Sequence, residues 1–259
     1  MEWIDNLRYK LVCLCNRWCI CLHLRPYITK TDPVYELHIS EKKQYIYCVI
    51  SKNGCSSIMS SILKQDDGKC FDENVKIWDQ KSYLTSVLNS HRIFFDHASE
   101  VDKTPFTGYR KFIVLRNPLD RFISFINNTY KEEEYNYLFD KSLPAKEYVD
   151  RVLQFYPYMI SHQRADRRYD KHAIPQRVYY EEFHRLFGEE LEVVNIKNLP
   201  IYYQELTGNP LIKNNVSKPQ EKVCTQDTLT PEQLKQIETY IQQYEYGLDD
   251  EFTKILKVL

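Results

Sequence analysis

Short apolar, β-branched and aromatic runs alternate along this chain with segments of helical spacing. Gln44-Tyr-Ile-Tyr-Cys-Val-Ile50 reads as a buried strand. The polar stretch Ser51-Lys-Asn-Gly-Cys-Ser-Ser57 follows it. Ile58, Ile62 and Leu63 then recur at helical spacing, which predicts strand, short Gly-containing loop and helix. Arg92 to Phe95 predicts a short strand. The strand–turn–helix pattern returns with Phe112-Ile-Val-Leu115, the turn Arg116-Asn117-Pro118, and a helix over Leu119 to Tyr130 with Pro118 at its first turn. Glu192 to Ile196 predicts another strand, Leu199 to Leu206 a helix stopped by Gly208, and Thr230-Pro-Glu-Gln233 opens a long helix towards the C-terminus. Strands alternating with helices predict an α/β fold with a mostly parallel central sheet flanked by helices.

Residues 1–30 read as an appendage and residues 31–259 as the domain. The apolar segment Leu11 to Leu24, broken by Asn16 and Arg17, is too short to span a bilayer as a helix, which takes about 20 apolar residues. It reads as a helix docked on the domain or lying at a membrane surface. Four of the eight cysteines, Cys13, Cys15, Cys19 and Cys21, crowd into it. Four thiolates could hold zinc, but the Cys-x-Cys spacing and the lack of a second knuckle favour a thiol-rich apolar segment without metal. The cysteines are not spread as a disulfide framework, so reduced thiols are expected. With no clear export segment, the cytoplasm is the expected compartment, ahead of the Golgi lumen.

Composition narrows the function classes. Charged residues make up 27% of the 259, with 35 Lys+Arg against 36 Asp+Glu, which is ordinary for a globular protein. A net charge of −1 argues against a general nucleic-acid binder, because neutralising a phosphate backbone takes surplus cations. Glycine is scarce, six in the whole chain, so each is expected to perform a backbone task.

The two strand–loop–helix elements carry the candidate chemistry. A loop of small residues opening a helix presents backbone N–H groups and the positive end of the helix dipole, and phosphate is the usual occupant. Lys52 adds a cation, and Ser56 and Ser57 add hydroxyls. The loop is not a Walker A motif, since its lysine precedes the glycine. The structural alternative is a Ser/Gly turn that caps a helix. In the second element Arg116 stands at the end of a strand, with Ser124 roughly two helical turns beyond. A guanidinium and a hydroxyl that converge suit a second phosphate. The alternative for Arg116 is pairing with a surface carboxylate.

Ser51-Lys-Asn-Gly-Cys-Ser-Ser57, followed by Leu115-Arg-Asn-Pro-Leu-Asp-Arg-Phe-Ile-Ser124, resembles the two PAPS-binding motifs of the sulfotransferases. The resemblance is nearest to the Golgi-type carbohydrate enzymes, including the heparan 2-O- and HNK-1-type branch. It implies a P-loop-like sulfotransferase fold and transfer of a sulfuryl group from PAPS to a carbohydrate hydroxyl, with no metal required. It places Lys52, Asn53, Gly54, Cys55, Ser56 and Ser57 at the 5′-phosphosulfate, and Arg116 and Ser124 at the 3′-phosphate. Ser51 departs from the family's proline. The resemblance weakens through Asp170 to Gln176 and ends near Asn215-Val-Ser-Lys218, where Lys218 is implied as a further phosphate contact.

Sulfuryl transfer needs a base for the acceptor hydroxyl and positive charge at the leaving oxygen. Lys52 fits the second role. His97, just after the strand at 92–95, is the first choice for the first role, and the resemblance agrees; Asp96 is the runner-up, as base or as the group orienting His97. His91, His162 and His172 are weaker. Arg164, Arg167, Arg168 and His172 form a basic stretch suited to an anionic glycan, against the alternative of a solvated loop interrupted by Asp166 and Asp170. Two other functions compete: a P-loop kinase, disfavoured by the missing Gly-Lys-Ser/Thr, and a non-catalytic glycan- or anion-binding module.

Overall fold

A computed structural model describes residues 35–67, 90–132, 135, 138–161, 171–213, 222–246 and 250–258. The N-terminal segment with its four cysteines, Arg164, Arg167, Arg168 and Lys218 lie outside the described residues. Contacts divide the chain into two compact units. The sheet-bearing unit comprises Pro33–Arg121, Pro175–Ser217 and Tyr244–Leu259; the helical unit includes Phe122–Ile174 and Lys218–Gln243.

Five strands form one sheet in the order β3-β1-β2-β4-β5, with β1 at Tyr35–Ser40, β2 at Tyr45–Cys48, β3 at Arg92–Phe95, β4 at Arg110–Leu115 and β5 at Leu191–Asn195. β2, β4 and β5 run parallel, as expected. β1 is antiparallel to both of its neighbours, so the sheet is mixed and not mostly parallel. The physical reason is a hairpin. Residues Glu41–Gln44 turn the chain back at once, with Gln44 at φ +51, so β2 follows β1 without a crossover. β1 looks half-polar in sequence because of Glu36 and His38. In the fold, His38 Nε2 lies 2.6 Å from Glu36 Oε1, and Arg92 Nε of β3 donates to that same oxygen at 2.6 Å. Burial alone would raise the Glu36 carboxyl, but His38 and Arg92 hold it down at about 2.

Helices cover both faces of the sheet. Helix α1 (Cys55–Asp67) lays Ile58 and Ile62 against Tyr45, Tyr47, Phe112 and Val114, and Leu199 and Tyr203 of a later helix join the same cluster. The Tyr45 and Tyr203 hydroxyls meet at 2.8 Å inside it. On the other face, Tyr35 and Phe95 pack edge-on to Phe183 of helix α4 (Gln176–Phe187). Phe112 to Leu115 are fully buried because helices cover both faces.

Helix α2 (Pro118–Lys131) starts where the sequence predicts. Asn117 Oδ1 accepts from the Leu119 and Asp120 N–H groups at 3.0 and 3.3 Å, an Asx cap with Pro118 at the first helical position. Helix α5 (Leu199–Thr207) ends at Gly208 in the left-handed conformation, φ +74, as anticipated. Helices α3 (Ala145–Ser161), α4 and α7 (Glu251–Lys257) were not anticipated; α6 (Pro231–Tyr244) was. In the helical unit Phe122, Phe125, Tyr156 and Tyr240 form one aromatic cluster. Asn127 clamps the segment at 223–224 by accepting from the Val223 and Cys224 N–H groups and donating to Cys224 O. Among the described residues Cys48, Cys55 and Cys224 form no disulfide, and no helix is long and apolar enough to cross a membrane.

Candidate functional site

The site is built on the carboxyl rim of the parallel strands. β2 and β4 are neighbours in register, Cys48 opposite Ile113, so the loop after β2 and the turn after β4 leave the sheet side by side. In open α/β sheets that rim is where ligands bind.

The first wall is the loop Ser51–Gly54 and the start of α1. Lys52 has φ +71 and Gly54 φ +88. A left-handed conformation costs an L-residue about 1–2 kcal/mol, and strained backbone of this kind clusters at binding and catalytic sites. Gly54 has no such cost, and a Cβ there would stand 3.0 Å from Leu199 Cδ2. Gly54→Ala is therefore expected to lose about 1–2 kcal/mol of stability, read as a lower urea midpoint. An unchanged midpoint would show that the loop relaxes freely. Asn53 is fully buried, and its Nδ2 donates to Val114 O at 2.7 Å and to Gln176 Oε1 at 2.6 Å. Its role is to lock the loop onto β4, with its donors spent inside the protein. Tyr47 Oη donates to Asn53 O at 3.1 Å. Cys55, Ser56 and Ser57 form the first turn of α1, with Ser56 buried. That turn directs its backbone N–H groups and positive dipole end to the rim.

The second wall is Arg116. Its guanidinium is half-buried, and Nη1 donates to Lys52 O at 3.4 Å. Among the described residues no carboxylate pairs with it, in contrast to the surface ion pair weighed as its alternative. Burial pulls its pKa below the ordinary value, with Arg121 acting the same way and Asp120 opposing them. A guanidinium remains charged through such a shift. A half-buried cation with no carboxylate paired to it among the described residues, beside a helix N-terminus, suits an anion.

The structure thus brings Lys52, Asn53, Gly54, Cys55, Ser56, Ser57 and Arg116 together. Ser124 is half-buried on α2, seven residues past the Asn117 cap. Asp96 and His97 follow β3 on the same rim. Leu37 of β1 pairs with Cys48, the last residue of β2, and with Ile93 of β3, so Cys48 and Ile93 stand level and β3 runs two residues further. β1 lies between β3 and β2, so β3, which leads to His97, stands two strand spacings, about 10 Å, from β2, which leads to the Lys52 loop. His97 is exposed and Asp96 half-buried. His91 is buried, with Nδ1 3.0 Å from Ile39 O, and plays a structural part. His172 Nδ1 lies 3.1 Å from Tyr135 Oη.

Two residues behind the rim escaped the sequence reading. Gln176 is fully buried and joins both walls, and Glu245 is buried and caps α4. Polar residues in a helix's first turn and at a helix end carry no local mark of burial. The one signal was Pro175, which fixes where α4 begins.

A model of the sulfotransferase family matches residues 35–250, most of the chain and both walls of the site. The chain belongs to the sulfotransferase family. Neither the curated proteins nor the solved structures give a match. Sulfotransferases move sulfuryl groups and generally use PAPS as the donor, which fits a rim that offers separate cationic groups from two adjacent strands.

Proposed function

We propose that this sulfotransferase carries a sulfuryl group from PAPS to a carbohydrate hydroxyl, in the manner of the carbohydrate-modifying branch of its family. One observation carries the reading: the half-buried Arg116 guanidinium, without a carboxylate partner among the described residues, touching the backbone of Lys52. Gly54 supports it by supplying, at φ +88, the left-handed step that leads the loop into α1.

When bound, PAPS supplies an electrophilic sulfur and a leaving phosphate that departs as PAP. The residues divide the work. The N–H groups at the start of α1, with the Ser56 and Ser57 hydroxyls, hold the 5′ side. The Lys52 ammonium balances the charge that grows on the leaving oxygen. Arg116 holds the 3′-phosphate by its planar fork of donors, and Ser124 adds a hydroxyl. His97 takes the proton from the acceptor hydroxyl. Lys218 and the basic stretch Arg164, Arg167 and Arg168 stay in this reading as contacts to nucleotide and glycan.

Calorimetric titration with PAP tests it. Wild type should bind. Arg116→Ala should weaken binding about 10- to 150-fold, the worth of a charge-assisted hydrogen bond of about 1.5–3 kcal/mol. No binding by wild type at high micromolar PAP, or equal affinity in the variant, would sink the reading. Turnover of labelled PAPS with glycan acceptors then tests the acceptor class.

A further inference from the structure

Arg116 follows the last residue of β4, where the ladder ends. Its guanidinium can hold an anion in place only if its backbone is held too. Among the described residues no strand does this. The side chain of Gln176 does. Gln176 Oε1 accepts from the Arg116 N–H at 2.9 Å, and its Nε2 donates to Arg116 O at 2.9 Å. One amide thus satisfies both backbone groups of Arg116, as a neighbouring strand would. The same Oε1 accepts from Asn53 Nδ2 at 2.6 Å, so a single buried side chain ties the loop after β2 to the turn after β4.

Gln176 is itself fixed from behind. Its backbone N–H and that of Arg177 donate to the two oxygens of Glu245, at 2.9 and 3.1 Å. Arg177 in turn donates to Glu245 O at 2.9 Å, to both oxygens of Asp250 and to Thr253 Oγ1 at 2.6 Å. The C-terminal segment therefore holds the start of α4 in place, and through it the amide of Gln176. A side chain more exposed or more loosely anchored could not fix two loops at once.

We propose that Gln176 is a positioning residue of the nucleotide site: it sets the Arg116 guanidinium against the Lys52 loop so that both walls meet one ligand. This rests on the reading of the rim as the PAPS site. Gln176 is fully buried and acts through Arg116 and Asn53. A residue that merely supported the fold would weaken every variant alike, whereas a residue that acts through Arg116 has little left to position once that guanidinium is gone.

PAP titration of wild type, Arg116→Ala, Gln176→Ala and the double variant separates these cases, with thermal unfolding recorded for each. Gln176→Ala should bind PAP about 10-fold more weakly, since it leaves buried backbone and amide groups unpaired. The KM for PAPS should rise while that for the glycan acceptor holds. In the Arg116→Ala background the same change should cost less than about 2-fold. Equal losses in both backgrounds, or no loss in either, overturn the proposal while leaving the PAPS reading intact. Wild type that binds no PAP, or an Arg116→Ala variant that binds normally, overturns the PAPS reading instead, and this proposal with it. Should the alanine variant fail to fold, Gln176→Met, which keeps the length and volume, replaces it in the same cycle.

Discussion

Lys52→Ala is expected to lower kcat by about 10²–10³, the usual loss when a donor to developing charge is removed. Lys52 stands out by its conformation as well as its charge. Lys52 and Gln44 are the described non-glycine residues with positive φ, at +71 and +51. Gln44 sits in a hairpin turn, where such an angle has a plain geometric use. Lys52 sits at the rim of the anion site, with its carbonyl accepting from Arg116. Holding lysine there costs about 1–2 kcal/mol that glycine would not incur. A strained residue retained at a site points to a side chain that is needed. Two variants separate the contributions. Lys52→Ala keeps the strain and removes the amine, whereas Lys52→Gly removes both. Both should lose the rate, but the glycine variant should be more stable than the alanine variant by about 1 kcal/mol in urea unfolding. A glycine variant within tenfold of wild-type kcat would show that the ammonium is not at the leaving group. An alanine variant as stable as the glycine variant would show that the backbone angle carries no strain.

The parts of this protein that were legible in the sequence are those with a local cause. β4 shows as a continuous apolar run because both of its faces are covered. α2 shows through Asn117 and Pro118, and α5 through Gly208, because caps and stops act within a few residues. The two walls of the site were legible for the same reason, since each is a strand end followed at once by a helix start. What stayed hidden depends on distant partners. β1 carries Glu36 and His38 in a strand that packs on both sides, and Arg92, supplied by a strand far along the chain, makes this tolerable. Gln176 is the corresponding case within the site. A glutamine after a proline resembles any exposed first-turn residue until Arg116 and Asn53 are seen around it. The mixed sheet follows from β1 as well, for a four-residue turn without glycine gives little local sign of a hairpin.

The reach of the rim decides the second large effect. His97→Ala is expected to lower kcat by about 10²–10⁴, the range for losing a general base, and to leave PAP affinity unchanged. Displacement at sulfur is in line, so the acceptor oxygen attacks from the side opposite the leaving oxygen. The base must then stand beyond the acceptor oxygen, at about 3 Å from it, and away from the group that serves the leaving oxygen. The proposed roles assign the leaving oxygen to Lys52 and the acceptor to His97: they are the fourth residues after Cys48 and Ile93, which are level in the sheet, and β1 separates their strands. Their strands stand two spacings, about 10 Å, apart, a separation on the scale that sulfur and acceptor together require. The backbone at His97 is held while its side chain is exposed. Glu100 Oε2 accepts from the Asp96 and His97 N–H groups at 2.9 and 3.3 Å, and Glu182 Oε1 accepts from the Ala98 N–H at 2.5 Å. A group anchored by its main chain and open at its ring suits an acceptor that arrives from solvent. Asp96→Asn separates the two candidates. A smaller loss than in His97→Ala keeps Asp96 as the orienting group, whereas a larger one moves the base to Asp96. Wild-type turnover by His97→Ala would return the histidine to a structural part and leave the acceptor proton to another residue on the rim.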